Sequence, residues 1–354
     1  MKEVKVSICM TAYNAAEHIR RMLDSILLQT EKRFEVIAID NGSTDATGTI
    51  LREYALKDER LRVVTIPHGT IANGRQAGMN LAQGDYLFFP DADDTMPPEG
   101  LLRLLRKAEK TGADVVTGGY YTDTGGRRRM YNWPHIGGDA FRRLTADCPL
   151  WNKLFRRRFL EQWGIEFEDT AYGEDLLFCS RVARAEPKIA MELHSVYTYR
   201  GYQSVFAPSV TNQWTIERFR ATVKMLDMYQ TGFAETKWQE AADDWVRREG
   251  ARQLKEFLFH LWEPSDRETA FAIFQSRARC FDWEGREDAF RGIYSMKIED
   301  FFRVNCRTYM EQCGIIDPNR AILEGYRQGQ QGLRFAVQCA FEWFLFKKNR
   351  MLGK

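Results

Sequence analysis

The sequence carries no surplus of charge, no long apolar run and no ordered pairing of cysteines, and each absence removes a class of function. Its 51 basic and 49 acidic residues leave a net charge of +2, so no field over the whole molecule recruits nucleic acid, and any electrostatic function must be local. No apolar stretch reaches the roughly 18 residues that would cross a bilayer. The opening "MKEVKVSICM" lacks the layout of a secretory signal, so export by the usual route is not expected. The cysteines are odd in number, 7, and none stands in CxxC spacing, which argues against a disulfide framework or a zinc site and fits the reducing cytoplasm. Repeats and low-complexity tracts are lacking too.

What is present is enough apolar residue, 44% of 354, for a sizeable core and more than one module. The first part alternates between strand and helix patterns. "VKVSICM", "FEVIAID", "LRVVTI", "YLFF" and "ADVVTGG" read as strands. Between them lie helical stretches: one with Ile19, Leu23, Ile26 and Leu27 at helical spacing, one opened by Ser43, Thr44 and Asp45, "GRQAGMNLAQG", and "EGLLRLLRKAEKTG" after Pro97 and Pro98. Strands separated by helices predict an α/β fold, a Rossmann-like, mostly parallel sheet with ligands at the carboxyl ends of its strands. From about Trp214 the pattern turns to long amphipathic helices. The expected division is therefore a ligand-binding domain over residues 1–210 and a helical region over 211–354, parted near "APSVTNQW".

One strand ends unusually. "YLFFPDADDT" delivers Asp91, Asp93 and Asp94 within four positions, and unpaired carboxylates are too costly to bury, so they belong on a rim where water, a cation or a ligand's donors meet them.

Three further stretches accompany it in order: "VSICMTAYNAAEHIRRMLDSILLQT", "IDNGSTDAT" and "CPLWNKLFRRRFLEQWGIEFEDTAYGEDLLFCSRV". Together they resemble the family-two glycosyltransferases of the glycosyltransferase A fold, over roughly Val4 to Tyr202; the helical C-terminus lies outside the resemblance. The resemblance implies an inverting transfer from a UDP-sugar to a hydroxyl of a glycan or lipid-linked acceptor, with Mn²⁺ or Mg²⁺ as cofactor, in bacterial surface polysaccharide synthesis. It places Thr11, Tyr13, Asn14, Asp40, Arg75, Asp91 and Ala92 around the nucleotide sugar, Asp93 with Asp91 on the metal, and Trp151, Lys153 and Glu174 toward the acceptor. Asp175 would be the catalytic base. Two positions depart from the family's pattern: Gln76 stands where asparagine is usual, and Pro90 where an aliphatic residue is usual.

Each position also has a physical reading of its own. An aromatic face at Tyr13 can stack on a base, and ionised Asp40, which only accepts hydrogen bonds, suits the imide N–H of uracil. "DNGSTD" is equally a good turn, in which Gly42 and Asp45 serve the backbone alone. Hard carboxylate oxygens at Asp91 and Asp93 suit a cation that neutralises a diphosphate. Glu174 and Asp175 could instead complement the dipole of a helix's first turn, and Trp151 could be plain core; core roles are expected for His194 and Tyr197. Lys153 is expected to contact phosphate.

Two rivals come from other classes. "DADDT" fits the D-x-D-x-T pattern of haloacid-dehalogenase-like phosphatases, with Asp91 as nucleophile, but that reading leaves "TAYN", "IDNGSTD" and "LWNKLF" unexplained. A nucleotide-sugar-binding protein without catalysis would require Asp175 to be misplaced. Nucleic acid is not an expected partner. The tail "LRFAVQCAFEWFLFKKNRMLGK" puts Val337, Ala340, Phe341, Phe344 and Leu345 on one helical face ahead of Lys347, Lys348, Arg350 and Lys354, a pattern for peripheral membrane contact or for packing on the protein itself.

Overall fold

A computed structural model describes residues 3–124, 127–131, 139–200, 214–261, 263–281, 287, 290, 291 and 296–313. The apolar tail and its basic cluster lie outside the described residues, as does the predicted boundary "APSVTNQW". The chain divides into two compact units, residues 1–212 with 227–239, and residues 213–226 with 240–354.

The first unit is an eight-stranded sheet with helices on both faces. Four of the five expected strands, β1 (Val6–Ala12), β2 (Phe34–Asp40), β3 (Leu61–Thr65) and β4 (Tyr86–Phe88), lie side by side in parallel, in the order β3-β2-β1-β4. They are buried on both sides, so successive residues feed two different cores. Ile8, Met10, Val36, Ala38 and Phe88 pack with the helices α1 (Ile19–Leu27), α2 (Thr47–Ala55) and α4 (Gly100–Thr111). Cys9, Ile37, Ile39, Leu87 and Phe89 face the other layer, which holds α3 (Ile71–Leu81), α5 (Ala140–Ala146), α6 (Arg157–Gln162) and α7 (Glu174–Arg184).

Beyond β4 the sheet is mixed. β7 (Lys153–Arg156) runs antiparallel between β4 and β5 (Val115–Thr124); β6 (Arg127–Tyr131) adds antiparallel to β5, and β8 (Ile189–Arg200) pairs with β5 in parallel. The fold is thus the expected mostly parallel α/β sheet, with two antiparallel strands, β6 and β7, added to its second half. The end of "LWNKLF" opens one of them: β7 starts at Lys153 and lies inside the sheet.

The second unit is helical. Among the described residues its helices are α8 (Ile216–Phe233), α9 (Gln239–His260), α10 (Pro264–Ala278), α11 (Ile298–Phe301) and α12 (Cys306–Gln312), and α8 passes from one unit to the other in sequence. Its core is rich in aromatic rings: Phe219, Phe257, Phe271, Phe274, Phe301 and Tyr309 are all buried. Among the described residues no helix is long and apolar enough to cross a membrane.

Candidate active site

The residues singled out in the sequence gather at the carboxyl ends of β1, β2 and β4. Asn14, after β1, takes the left-handed conformation at φ 47°, and its Oδ1 accepts hydrogen bonds from the Thr44 N–H (2.8 Å) and hydroxyl (3.3 Å). The Ser43 hydroxyl and the Asp45 carboxylate in turn accept from the Asn14 and Ala16 N–H groups. The two loops are therefore latched together, and Tyr13 stands beside the latch, 45% exposed. Its ring stacks on His68 at 4.1 Å between centroids, a residue with no signal in the sequence. Asp40 is nearly buried; one oxygen accepts from the Ser43 N–H at 3.0 Å.

α3 brings the arginine. Its start is fixed by Thr70, which accepts from the Asn73 N–H while Asn73 accepts from the Thr70 N–H, a reciprocal cap that sets the helix three residues earlier than the glycine of "GRQAGMN" suggests. Gly74 permits close approach: a Cβ there would collide with the Thr11 side chain. Arg75, on the next position, is buried, and its guanidinium bridges Asp91 (2.9 Å) and Glu174 (2.5 Å). One side chain so joins the acids after β4 to the acids at the start of α7.

The acids after β4 are held from behind by β8. Thr95 and Thr198 exchange backbone hydrogen bonds of 3.2 and 2.8 Å, the Arg200 N–H donates to Asp94 Oδ1 at 2.6 Å, and the Asp91 N–H donates to the Tyr197 hydroxyl at 3.0 Å. Tyr197 is buried as expected, yet its hydroxyl positions the acid loop. His194 departs from its expected core role: it is exposed and pairs with Glu192. Burial and the charge of Asp91 push the Asp93 carboxyl up to about 6, and burial with the charges of Asp91 and Asp93 lifts Asp94 above the usual carboxylate range.

α7 begins after Gly173, whose φ of +77° suits glycine, and presents Glu174 and Asp175 in its first turn. Asp175 Oδ1 accepts from the Leu176 N–H at 2.7 Å, and the Cys148 thiol lies 3.9 Å from Oδ2, a neighbour that sequence reading passed over. Burial first and the Glu174 charge second push the Asp175 carboxyl up to about 6, against the pull of Arg75.

Trp151 and Lys153 sit elsewhere than expected. Lys153 is fully buried, and its ammonium donates to Asp147 (3.1 Å), the Pro149 carbonyl (2.8 Å) and Asn152 (2.9 Å), which uses all three of its protons inside the protein. It has none left for a phosphate. Trp151, also buried, stacks beneath Tyr197 (4.8 Å) and Tyr199 (5.5 Å) and supports them. Ala92 is buried within the acid loop, and Thr11 bridges in strand fashion to Asp91.

Comparison with known proteins agrees with this geometry. A model of the family described as Glycosyl transferase family 2 matches residues 7–166, which takes in "TAYN", "DNGSTD" and "DADDT" together and leaves the phosphatase rival without support. Glycosyltransferase GlyA of Streptococcus pneumoniae serotype 4 is 27% identical over 229 residues, 59% of this chain and 32% of that protein. The uncharacterized glycosyltransferase EpsJ of Bacillus subtilis is 31% identical over 211 residues, 55% of this chain and 60% of EpsJ. The matched part is thus less than two thirds of either relative. Among solved structures, residues 1–349 of S. aureus TarS in complex with UDP-GlcNAc share the fold at a TM-score of 0.59 and 18% identity, over 92% of this chain and 93% of that one. The chain carries, over residues 7–166, a glycosyl transferase family 2 domain with the glycosyltransferase A fold.

Proposed function

We propose that the protein is an inverting glycosyltransferase that moves a sugar from a UDP-sugar to a hydroxyl of a glycan or lipid-linked acceptor, with the domain at 1–210 performing the chemistry. The observation that carries this reading is the Arg75 bridge, which places the acids of "DADD" and those of α7 within one cluster. On this reading the acids after β4 handle the metal and the acids of α7 supply the base for a single displacement.

Tyr13 and His68 touch each other, so a base extends their stack from the outside rather than entering between them. Asp40 reads the uracil imide. The donor set fits a divalent cation: Asp91 and Asp93 offer hard oxygens, and the Asp93 carboxyl, raised first by burial and then by the Asp91 charge, lies where a cation would favour its ionised form. When bound, Mg²⁺ or Mn²⁺ supplies charge that neutralises the diphosphate as it leaves. Asp175 takes the proton of the acceptor hydroxyl as that oxygen bonds to the anomeric carbon, while the bond from that carbon to the UDP oxygen breaks on the opposite face. Arg75 holds Glu174 against the metal side and keeps Asp175 from rising further. TarS, which was crystallised with UDP-GlcNAc, supports a UDP-sugar donor, and the relatives GlyA and EpsJ, both glycosyltransferases, support the transfer itself. The helical region over 211–354 is assigned to acceptor, oligomer or peripheral membrane contacts at the inner face of the cell membrane.

Incubation with a panel of UDP-sugars and Mn²⁺ tests the reading directly. Slow UDP release, quickened by an acceptor, is expected; hydrolysis of a generic phosphate ester in its place would restore the phosphatase, and UDP binding without turnover would leave only a binding protein.

A further inference from the structure

We propose that the sheet face shared by β5, β6 and β8 is a platform for an acidic glycan acceptor, in which Tyr199 stacks on a sugar ring and Arg127 and Arg129 take the acidic groups. The proposal deepens the transferase reading and rests on it for the word acceptor; the surface itself is argued from register, exposure and charge.

Residues directly opposite in paired strands share a face, and every second residue repeats it. Tyr120 lies opposite Tyr197 and Tyr131, Thr122 opposite Tyr199 and Arg129, and Thr124 opposite Arg127. One face therefore reads Tyr197, Tyr199, Tyr120, Thr122, Tyr131, Arg129 and Arg127, with no acid among them. Its inner end is the catalytic cluster, because the Tyr197 hydroxyl accepts from the Asp91 N–H and the Arg200 N–H, next to Tyr199, donates to Asp94. Its outer end is basic.

Tyr199 is 39% exposed, and Trp151 stacks on one side of its ring. A large rigid aromatic, braced from below and open above, is the surface on which the C–H face of a sugar ring packs. Arg129 lies over the Tyr131 ring at 5.2 Å, which braces its guanidinium in the same way, and both Arg127 and Arg129 are exposed. Neither has an acidic partner among the described residues. Arg128, between them, points to the other face, opposite Asp123, where it bonds to Thr198 and lies over Tyr121. The run "RRR" thus puts two arginines on the platform's face and one, also exposed but bonded to Thr198, on the other. Guanidinium groups match carboxylate and phosphate oxygens in pairs. Two strand spacings separate Tyr199 from Arg129, about 10 Å, which is roughly the span of two sugar rings. A glycan whose acidic groups recur along the chain fits that spacing; a neutral one leaves the arginines unused.

Calorimetry without nucleotide tests this with three probes: neutral chitotetraose, hyaluronan tetrasaccharide as the uronate form, and a mannotetraose carrying 6-phosphate. At least one acidic probe should bind about tenfold or more tighter than chitotetraose, and which one does identifies the acid as carboxylate or phosphate. Arg127→Gln with Arg129→Gln should erase that advantage, whereas Arg128→Gln should not. Tyr199→Ala should weaken every probe, and Tyr199→Phe should restore them. UDP binding, measured on each variant, should be unchanged. Equal binding of acidic and neutral probes, binding of none at millimolar concentration, or equal losses in the Arg128 variant and the double variant would overturn the proposal. If wild-type protein binds the acidic glycan but not UDP, the transferase reading falls and the platform stands.

Discussion

The two halves of the sheet do their work by different means. In the parallel half, β1 to β4, loop residues are held by neighbours close in sequence or by the adjoining loop: Asp40 by Ser43, Thr47 by Asp45, Asn14 by Thr44. In the mixed half the contacts are long-range. Arg75 meets Glu174 across 99 positions, and the Asp91 and Asp94 loop is tied to Tyr197 and Arg200 across 106. The first half relies on single hydrogen bonds, several of them from backbone N–H groups to a carboxylate, which each contribute about 1 to 3 kcal/mol. The second half buries several charges against one arginine, where loss of one partner strands the others at several kcal/mol. Substitutions in the parallel half should therefore weaken ligand binding in modest steps, and those in the mixed half should abolish chemistry or unsettle the fold.

The largest expected effect is at the acids after β4. Asp93→Ala should abolish turnover at any Mn²⁺ concentration, and EDTA should silence the wild type, both read as UDP release. Full activity in EDTA would remove the cation from the function. Next comes the base. Asp175→Asn keeps the Leu176 N–H bond but cannot take a proton, so transfer should fall roughly 10²- to 10⁴-fold while UDP still binds. The carboxylate form is the active one and its carboxyl is pushed up to about 6, so the wild-type rate should rise as pH climbs through about 6 and level off above it. The variant's residual rate should lack that rise. The glycoside should carry the anomeric configuration opposite to the donor's, and an NMR spectrum showing retention would end the role of Asp175.

Arg75 lies on the border of the two halves, and its removal measures how much the mixed half depends on one cation. Arg75→Met leaves Asp91 and Glu174 without their partner, for an expected loss of about 3 to 5 kcal/mol in denaturant unfolding. Because Arg75 opposes the rise of the Asp175 carboxyl, the variant's remaining activity should need a higher pH than the wild type's. An unfolding midpoint close to wild type would show that solvent reaches this cluster and that the contrast between the halves is smaller than the burial implies.

How far the sequence was legible follows the same line. In the parallel half, apolar runs bounded by turn residues mark β1 to β4 nearly to the residue, and "TAYN" and "DNGSTD" fall at the strand ends as expected, as does "DADD" where β4 hands over to the mixed half. Local periodicity suffices there because each strand is followed by the helix that covers it. In the mixed half the strands pair antiparallel with segments far away, and nothing local announces that "NKLFR" inserts between β4 and β5. Lys153 therefore looked like a ligand contact and is a buried strand residue whose charge Asp147 takes up. Tyr197 shows the converse: its burial was legible, but the bond from the Asp91 N–H to its hydroxyl depends on β8 passing behind the acid loop. His68 and Cys148 carry no pattern at all and enter the site only through packing.

The smallest expected effect, and the sharpest test of the parallel half, is at Asp40. Its carboxylate has two claims on it, a turn bond from the Ser43 N–H at 3.0 Å and the proposed uracil imide. Asp40→Ala removes both, so a loss of about 1 to 3 kcal/mol in UDP binding would not by itself separate them. Asp40→Asn does. The amide oxygen can still accept from Ser43, so the turn and the thermal stability should hold, but the amide nitrogen presents donors to a uracil N–H that needs an acceptor. UDP should then weaken about as much as in Asp40→Ala, and the preference for UDP over GDP and ADP should shrink with it. If Asp40→Asn binds UDP normally, Asp40 serves only the turn, and base recognition in the parallel half passes to the Tyr13 and His68 stack.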